Sequence, residues 1–150
     1  MAYEQLKLEN QLCFPFYAAS RLIIRAYQED LDALGITYPQ YLVMMVLWEE
    51  QETTVNQIAE KLILNTNTIT PLLKRMETMG LITRTPSKTD QRKILVGLTE
   101  EGRNMREKAA EIPSRLLKRL KIVPTEQGQQ DFLNMKNQLN VLIDLLKQKI

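Results

Sequence analysis

The sequence predicts a mainly α fold with a small β-wing: a winged helix-turn-helix that carries further helices at its N- and C-terminal ends. Two observations predict this fold. Residues 53–102 give a short amphipathic helix, a three-residue link and a second helix that ends at Gly80. A basic hairpin and the segment Leu98-Thr99-x-x-Gly102 then follow without a linker. This order of elements is typical of proteins that bind duplex DNA.

Composition narrows the class of protein. The chain has one cysteine, Cys13, and no histidine, which excludes an internal disulfide, a Cys/His zinc site and a Ser-His-Asp or Cys-His catalytic site. We therefore expect no metal, no cofactor and no enzymatic activity. No segment reaches the roughly 18 consecutive apolar residues of a membrane span, and the N-terminus lacks the apolar core of a signal peptide. The sequence thus predicts a soluble, cytoplasmic protein without a membrane partner.

Charge is distributed unevenly along the chain. Residues 1–52 carry three Lys/Arg and eight Asp/Glu, whereas residues 53–150 carry seventeen and ten. The positive excess lies on the segment predicted to read DNA and on the helices after it, which suits a surface that faces phosphates. An ordinary solvated surface produces the same asymmetry, so charge alone does not decide.

Apolar residues at helical spacing predict one N-terminal helix over residues 12–34, with Gly35 as its C-terminal cap. Because Pro15 is tolerated only in the first turn, Cys13 should lie at or just before the helix N-terminus. Unpaired amides and the helix dipole stabilise a thiolate there, which is the form that attacks peroxides. A lone cysteine between Leu12 and Phe14 is also compatible with an inert buried residue.

Thr37 and Gln40 fit a capping box that begins a helix reaching to about residue 50. Its expected core residues are Tyr41, Leu42, Met45, Leu47 and Trp48. Thr53 or Thr54 should cap the next helix, with an apolar stripe of Val55, Ile58, Ala59 and Leu62. The second helix of the pair should begin near Thr66 or Asn67, either of which can act as its cap. Its expected buried stripe is Ile69, Leu72, Leu73, Met76 and Met79.

This second helix has the polarity of a recognition helix. Hydroxyls and amides lie near its N-terminus, where base edges are met, and cations that suit phosphate contacts follow. The residues expected to contact DNA are Thr66, Asn67, Thr68, Thr70, Pro71, Lys74 and Arg75.

Residues 81–85 and 93–98 read as two strands, and the polar loop 86–92 between them is the predicted wing. Lys88, Asp90 and Arg92 are its expected DNA-binding residues. Asp90 can pair with Arg92 and orient the guanidinium for a minor groove.

Two helices should complete the chain, one capped by Thr99 that runs to about residue 120 with a kink at Pro113, and one capped by Thr125 that runs to about residue 147. A small winged module cannot cover the apolar stripes of the terminal helices, so we expect a homodimer. Residues 1–36 and 104–150 form the predicted dimerisation region, and residues 37–103 form the DNA-binding domain. A two-fold dimer fits a pseudopalindromic operator in double-stranded DNA.

Residues 55–102 resemble the MarR family of dimeric winged-helix repressors. The resemblance rests on Leu72-Leu73-Lys74-Arg75-Met76-Glu77, Gly80-Leu81-Ile82, Asp90-x-Arg92 and Leu98-Thr99-x-x-Gly102. The segments Leu6-Lys7-Leu8-Glu9-Asn10-Gln11-Leu12-Cys13-Phe14, Tyr17-Ala18-Ala19-Ser20-Arg21 and Ile36-Thr37-Tyr38-Pro39-Gln40-Tyr41 are similar to the organic hydroperoxide resistance regulators, the OhrR group. The similarity extends to about Pro113 and thins in the final helix.

The resemblance implies that Cys13 is the peroxide-reactive thiol and that Tyr27 and Tyr38 hydrogen-bond it across the dimer interface. Because a second cysteine is absent, it also implies the one-cysteine type, in which a small cellular thiol traps the sulfenic acid. The implied function is a repressor that senses organic hydroperoxides through Cys13 and then releases its operator.

Two alternatives to this function stay open. One is a MarR-type global redox regulator that responds to broader oxidant signals. The other is a repressor released by a small phenolic ligand, with Cys13 merely part of the core. A thiol peroxidase fits poorly, because the chain has one cysteine and no histidine.

Overall fold

The computed structural model describes residues 3–121 and 125–149, and within them the chain forms eight α-helices and three β-strands. Two short 3-10 turns, Glu4–Leu6 and Leu8–Asn10, precede the first helix. The helices are α1 Phe14–Ala26, α2 Gln28–Leu34, α3 Tyr38–Glu50, α4 Val55–Leu62, α5 Thr66–Thr78, α6 Glu100–Ala109, α7 Ile112–Arg119 and α8 Glu126–Lys147. The strands are β1 Glu52–Thr54, β2 Ile82–Pro86 and β3 Ile94–Leu98. The chain divides into two compact units, Met1–Ile112 and Pro113–Ile150.

Side-chain caps fix the starts of several helices. At α3 the Gln40 amide donates to the Thr37 hydroxyl at 3.4 Å and the Thr37 amide donates to Gln40 Oε1 at 2.9 Å, which confirms the predicted capping box. Thr54, rather than Thr53, forms the same box with Gln57 at α4. The predicted caps of α6 and α8 are also confirmed, and they are Thr99 and Thr125.

The predicted cap of the recognition helix α5 is wrong by one residue. Asn65 is the N-cap, and its Oδ1 accepts a hydrogen bond from the Thr68 amide at 2.9 Å. The helix itself begins at Thr66, as expected. Three consecutive polar residues that can each act as a cap made the choice ambiguous from sequence.

Two helices predicted to be continuous are each interrupted. The N-terminal helix breaks at Tyr27, where the Tyr27 amide donates to the Ile24 carbonyl three residues back at 3.1 Å and tightens the turn. The apolar spacing runs through this break, so the pattern does not reveal it. The later helix ends at Ala109, and Pro113 lies in the first turn of α7 instead of kinking a longer helix. Proline has no amide hydrogen to leave unpaired in a first turn.

The three strands form an antiparallel sheet in the order β1-β3-β2. Strand β1, which sequence analysis missed, pairs with β3 so that Thr53 lies opposite Val96. At three residues it is too short to show alternation, and its threonines suggested only a helix cap. Strands β2 and β3 lie within one residue of the prediction, with Thr83 opposite Gly97.

A hydrophobic core fills the space between α2–α6 and the sheet. Helix α3 is buried on most of its surface, so its spacing did not identify the buried positions correctly. Met45 in α3 and Met79, the C-cap residue of α5, are each 39% exposed although core positions were predicted for both. Tyr41, Leu47 and Trp48 are buried as expected, and three further residues of α3 join them, namely Val43, Met44 and Val46.

The start of α6 lies directly against Leu81, the residue before β2. A β-carbon on Gly102 would overlap the carbonyl oxygen of Leu81, and the Trp48 indole nitrogen donates to the Gly102 carbonyl at 2.9 Å. Only glycine fits at this contact. Among the described residues, no helix is long and apolar enough to cross a membrane.

Candidate redox site and nucleic-acid interface

Cys13 occupies the N-terminal end of α1, as the sequence predicted. It is the N-cap residue, its side chain is exposed, and it makes no capping hydrogen bond. Pro15 lies in the first turn of the same helix. Within one chain the sulfur is therefore open to a peroxide molecule and is not occupied by a backbone amide.

Three tyrosines form a cluster at the opposite end of α1. Tyr27 caps the helix C-terminus, and Tyr38 is the first residue of α3. Their ring centroids lie 5.0 Å apart. The ring centroid of Tyr41, which is buried, lies 5.9 Å from that of Tyr27, 6.4 Å from that of Tyr38 and 6.3 Å from that of Trp48. The structure thus brings together the two predicted tyrosines and adds a third.

Burial raises the pKa values of these three phenols. Burial, together with the charges that Tyr38 and Tyr41 would carry on ionisation, raises the pKa of Tyr27 to about 12. Burial also raises the pKa of Tyr38 and, with smaller contributions from Tyr38 and Asp30, the pKa of Tyr41. At neutral pH each phenol is protonated, as an ordinary tyrosine is, and so carries a hydrogen that it can donate.

The cysteine and the tyrosine cluster do not meet within one chain. Cys13 and Tyr27 cap opposite ends of α1. At the usual helical rise, this separates them by roughly 20 Å. The predicted redox residues therefore fall into two parts, a solvent-exposed thiol and a tyrosine pair at the far end of the same helix.

The recognition helix presents its predicted residues outward. Thr70 is half-buried, and the Thr68 hydroxyl lies 3.0 Å from Asn65 Oδ1. The other predicted residues of α5 are exposed, namely Thr66, Asn67, Thr68, Pro71, Lys74 and Arg75. The polar N-terminal turn and the two cations about two turns later are all on the exposed part of the helix surface.

A groove of about 410 Å³ separates the N-terminal half of α5 from the wing. It is lined by three residues that the sequence identified, Thr66, Thr70 and Arg92. It also contains residues that sequence reasoning missed, Thr54, Val55, Asn56, Gln57, Arg84, Lys93 and Ile94. Lys93 follows Arg92 directly, whereas Asn56 and Gln57 lie in the first turn of α4, which was read only as a supporting helix.

Arg92 is held near the wing tip by Asp90, as predicted. The Arg92 backbone amide and its Nε donate to Asp90 Oδ1 at 3.1 and 3.2 Å, and these bonds lower the pKa of the Asp90 carboxyl. The Arg92 side chain is nevertheless 92% exposed, so the guanidinium extends into solvent. Lys88, in the same loop, is also exposed.

Arg84 is a second oriented arginine in the groove. Its Nε and Nη2 donate to Glu77 Oε2 at 3.1 and 2.7 Å, and its backbone amide donates to Glu77 Oε1 at 3.2 Å. The side-chain hydrogen bond from Arg84 lowers the pKa of Glu77. The sequence does show a basic residue in β2, Arg84, and an acidic residue near the end of α5, Glu77. Their spacing alone does not show that the two side chains form an ion pair.

Comparisons with known proteins identify the family. A family model described as transcriptional regulator SarA/Rot matches residues 25–109. The organic hydroperoxide resistance transcriptional regulator of Bacillus subtilis (strain 168) is 46% identical over 147 residues, which cover 98% of this chain and 97% of that protein. The chain belongs to the MarR family, in its organic hydroperoxide resistance group.

Solved structures of MarR-type regulators agree with this assignment. The structure of reduced AbfR bound to DNA matches with a TM-score of 0.71 and 38% identity, covering 95% of this chain and 99% of that one. AbfR is a protein of Staphylococcus epidermidis. The MepR-DNA complex of Staphylococcus aureus has a TM-score of 0.76 and 24% identity, with coverage of 88% and 98%, and supports the fold alone. The predicted winged helix-turn-helix is confirmed.

Proposed function

We propose that this MarR-family regulator is a homodimeric repressor that binds a pseudopalindromic operator when reduced and releases it when an organic hydroperoxide oxidises Cys13. The observation that carries the proposal is the placement of Cys13 and the Tyr27-Tyr38 pair at opposite ends of one apolar helix. The relationship to a hydroperoxide resistance regulator and to reduced AbfR bound to DNA supports it.

Exposed apolar surface supports the dimer. Helix α1 has no buried residue, and α8 has none either. At ~25 cal/mol per Å² of apolar area, covering these faces with a second chain stabilises the pair. Residues 1–36 and 104–150 form the proposed dimerisation region, and residues 37–103 form the DNA-binding domain. The large apolar residues exposed on α1 are Phe14, Phe16, Tyr17, Leu22, Ile23 and Ile24.

An antiparallel pairing of two α1 helices completes the redox site. In that arrangement the N-terminus of one helix lies beside the C-terminus of the other, so Cys13 of one chain approaches Tyr27 and Tyr38 of the partner subunit. The separation of roughly 20 Å within each chain is consistent with this arrangement, because antiparallel pairing brings opposite ends of the two helices together. The protonated phenols donate hydrogen bonds to the thiolate and hold the reduced arrangement.

Oxidation changes this contact through a covalent step. The Cys13 thiolate attacks the O-O bond, one oxygen remains on sulfur as sulfenic acid, and the other leaves as the alcohol after protonation. A small cellular thiol then condenses with the sulfenic acid, releasing water and leaving a mixed disulfide that a second thiol can reduce. Because each chain reacts once per signal, the protein acts as a sensor and not as an enzyme, and it needs no metal or cofactor.

The adduct alters DNA binding through the geometry of the dimer. A bulky group at Cys13 displaces the tyrosines of the partner subunit and tilts the two winged modules, whose recognition helices must lie about 34 Å apart to enter successive major grooves. Each good base contact contributes ~1 to 3 kcal/mol, so losing a few in both half-sites releases the operator. We place this regulator in the cytoplasm, where bacterial operators lie.

The test compares wild type with Cys13→Ser. Fluorescence anisotropy on a labelled upstream fragment measures operator affinity before and after one equivalent of cumene hydroperoxide and a small thiol. Wild type should bind, then release and rebind after reduction, whereas Cys13→Ser should bind and stay bound. Release of Cys13→Ser by the oxidant would show that another group is the sensor. Release of reduced wild type by a phenolic ligand alone would favour the ligand-controlled alternative.

A further inference from the structure

The side chain of Gln40 joins the start of α3 to the end of the recognition helix. Its Oε1 accepts the Thr37 amide hydrogen at 2.9 Å, and its Nε2 donates to Met79 Sδ at 3.6 Å. Only 6% of the residue is exposed. One planar amide therefore connects two segments that are 39 residues apart in sequence.

Both ends of this connection lie at positions that matter for the proposed switch. Thr37 is the N-cap of α3, and the next residue, Tyr38, has its ring 5.0 Å from Tyr27. Met79 terminates α5, where its amide donates to the Arg75 carbonyl at 2.9 Å. Gly80, with φ +76°, then turns the chain toward β2. Gln40 thus touches the end of the recognition helix that lies farthest from the base-reading N-terminus.

We propose that Gln40 is a positioning residue that transmits displacement of Tyr38 to the recognition helix. The proposal rests on the proposed function, because it needs Tyr38 to move when Cys13 is oxidised. A shift of the α3 N-terminus carries the Gln40 amide with it, since Oε1 is tied to the Thr37 backbone. Leaving a buried amide without its acceptor is unfavourable. The C-terminal end of α5 therefore follows the amide, and the recognition helix changes its angle in the groove.

The capping box alone does not account for this residue. A capping box uses only the acceptor oxygen of its third residue, and glutamate serves there as well as glutamine. The second box of the chain, Thr54 with Gln57, has an exposed glutamine. At α3 the glutamine is buried and its donor is directed at a sulfur on another helix. The amide nitrogen is the atom that distinguishes this box from the other.

Two substitutions remove the link from opposite ends. Gln40→Glu keeps the acceptor for Thr37 and removes the donor to Met79. Met79→Leu keeps a similar apolar volume and removes the sulfur acceptor. Because it introduces no buried charge, it still tests the link if the charge in Gln40→Glu prevents folding. Met45→Leu is the matched control, because Met45 lies on α3 and is 39% exposed, as Met79 is.

The experiment measures, for each variant, the operator Kd in the reduced state and with the Cys13 mixed disulfide, the rate of thiol loss with cumene hydroperoxide, and the thermal unfolding midpoint. We expect the ratio of oxidised to reduced Kd to fall at least about threefold in Gln40→Glu and in Met79→Leu. Thiol oxidation should keep its wild-type rate in both, which a general loss of structure would not allow. Met45→Leu should keep the wild-type ratio.

The double variant separates coupling from independent effects. If the two residues act through one bond, Gln40→Glu with Met79→Leu should lower the ratio no further than either alone. Wild-type ratios in both single variants, or fully additive losses, would overturn the role of Gln40 while leaving the proposed function intact. If wild type itself failed to release the operator on oxidation, the proposed function would fail first and this inference with it.

Discussion

The winged module and helix α1 differ in how completely a single chain builds them. In the module, Ile58, Ile69, Leu73 and Val96 are fully buried, and its helices begin at side-chain caps. Helix α1 buries none of its residues and leaves its aromatic and aliphatic side chains in solvent. The surface proposed to bind DNA is therefore complete within one chain, whereas the proposed sensor needs a second copy.

This difference assigns separate tasks to the two regions. The groove beside the wing has its arginines already oriented by Asp90 and Glu77, so we expect the proposed DNA-binding surface to be in place before any signal arrives. The thiol, in contrast, lies at the opposite end of α1 from Tyr27 of its own chain. A signal at the interface is therefore expected to change where the two modules stand and, through the Gln40 contact, the angle of each recognition helix.

The largest expected effect comes from placing a charge on α1. Leu22 is 61% exposed in the single chain, and an interface would cover it. Leu22→Asp should prevent dimerisation, because an unpaired carboxylate in an apolar contact is strongly unfavourable. Operator affinity should fall by at least about a hundredfold, as one half-site alone binds weakly. Sedimentation velocity and anisotropy measure the two effects.

Leu22→Met is the control for this change, since it keeps an apolar side chain and good helix propensity. It should remain dimeric and bind as wild type does. A Leu22→Asp chain that sediments as a dimer would remove this face of α1 from the interface, and the antiparallel arrangement of the redox site would have to be abandoned.

An intermediate effect is expected at the wing. Arg92→Ala should weaken operator binding by about tenfold to a hundredfold, because it removes one oriented cation from each half-site. Its side chain is 92% exposed, so the thermal unfolding midpoint and the rate of Cys13 oxidation should not change. Anisotropy and thiol titration on the same sample check both statements.

Lys88→Ala provides a graded comparison within the same loop. Lys88 is exposed, and the hydrogen bonds to Asp90 that orient Arg92 do not involve it. Its loss should weaken binding less and should mainly reduce the dependence of affinity on salt. Equal losses at the two positions would mean that pairing with Asp90 adds nothing to the role of Arg92.

The smallest effect concerns the alkaline titration of the tyrosine cluster. The pKa of Tyr27 is raised from its ordinary value of 10.0 to about 12, so the folded state favours the neutral phenol. The stability that this preference contributes is fully present below pH 10 and is lost as pH rises toward 12. Tyrosinate absorbance should show a late step in wild type that is smaller in Tyr27→Phe, because the pKa values of Tyr38 and Tyr41 are raised as well.

The same titration, carried out at two protein concentrations on wild type, Tyr27→Phe and Leu22→Asp, tests whether the tyrosine cluster depends on the dimer. If a partner thiol approaches the cluster, the late step should depend on dimerisation and differ between wild type and Leu22→Asp. An identical titration in those two proteins would indicate that the cluster belongs to the single chain alone.

Local chemistry made much of this fold predictable. The Thr37-Gln40 box, the wing pair Asp90-Arg92 and the position of Cys13 beside Pro15 each depend on residues within a few positions of one another. The break at Tyr27 and the short strand β1 depend on tertiary packing, which spacing does not encode. The same holds for Arg84, which meets Glu77 across a turn and a strand entry.

The contact at Gly102 has a consequence for how motion passes through the molecule. With no β-carbon there, the backbone at the start of α6 lies against the Leu81 carbonyl, and the Trp48 indole donates a hydrogen bond to the carbonyl of Gly102 itself. Because these two backbone segments are in direct contact, no side chain lies between them that could change its conformation and absorb a movement. A rotation of α6 should consequently move the start of the β2-β3 hairpin by nearly the same angle.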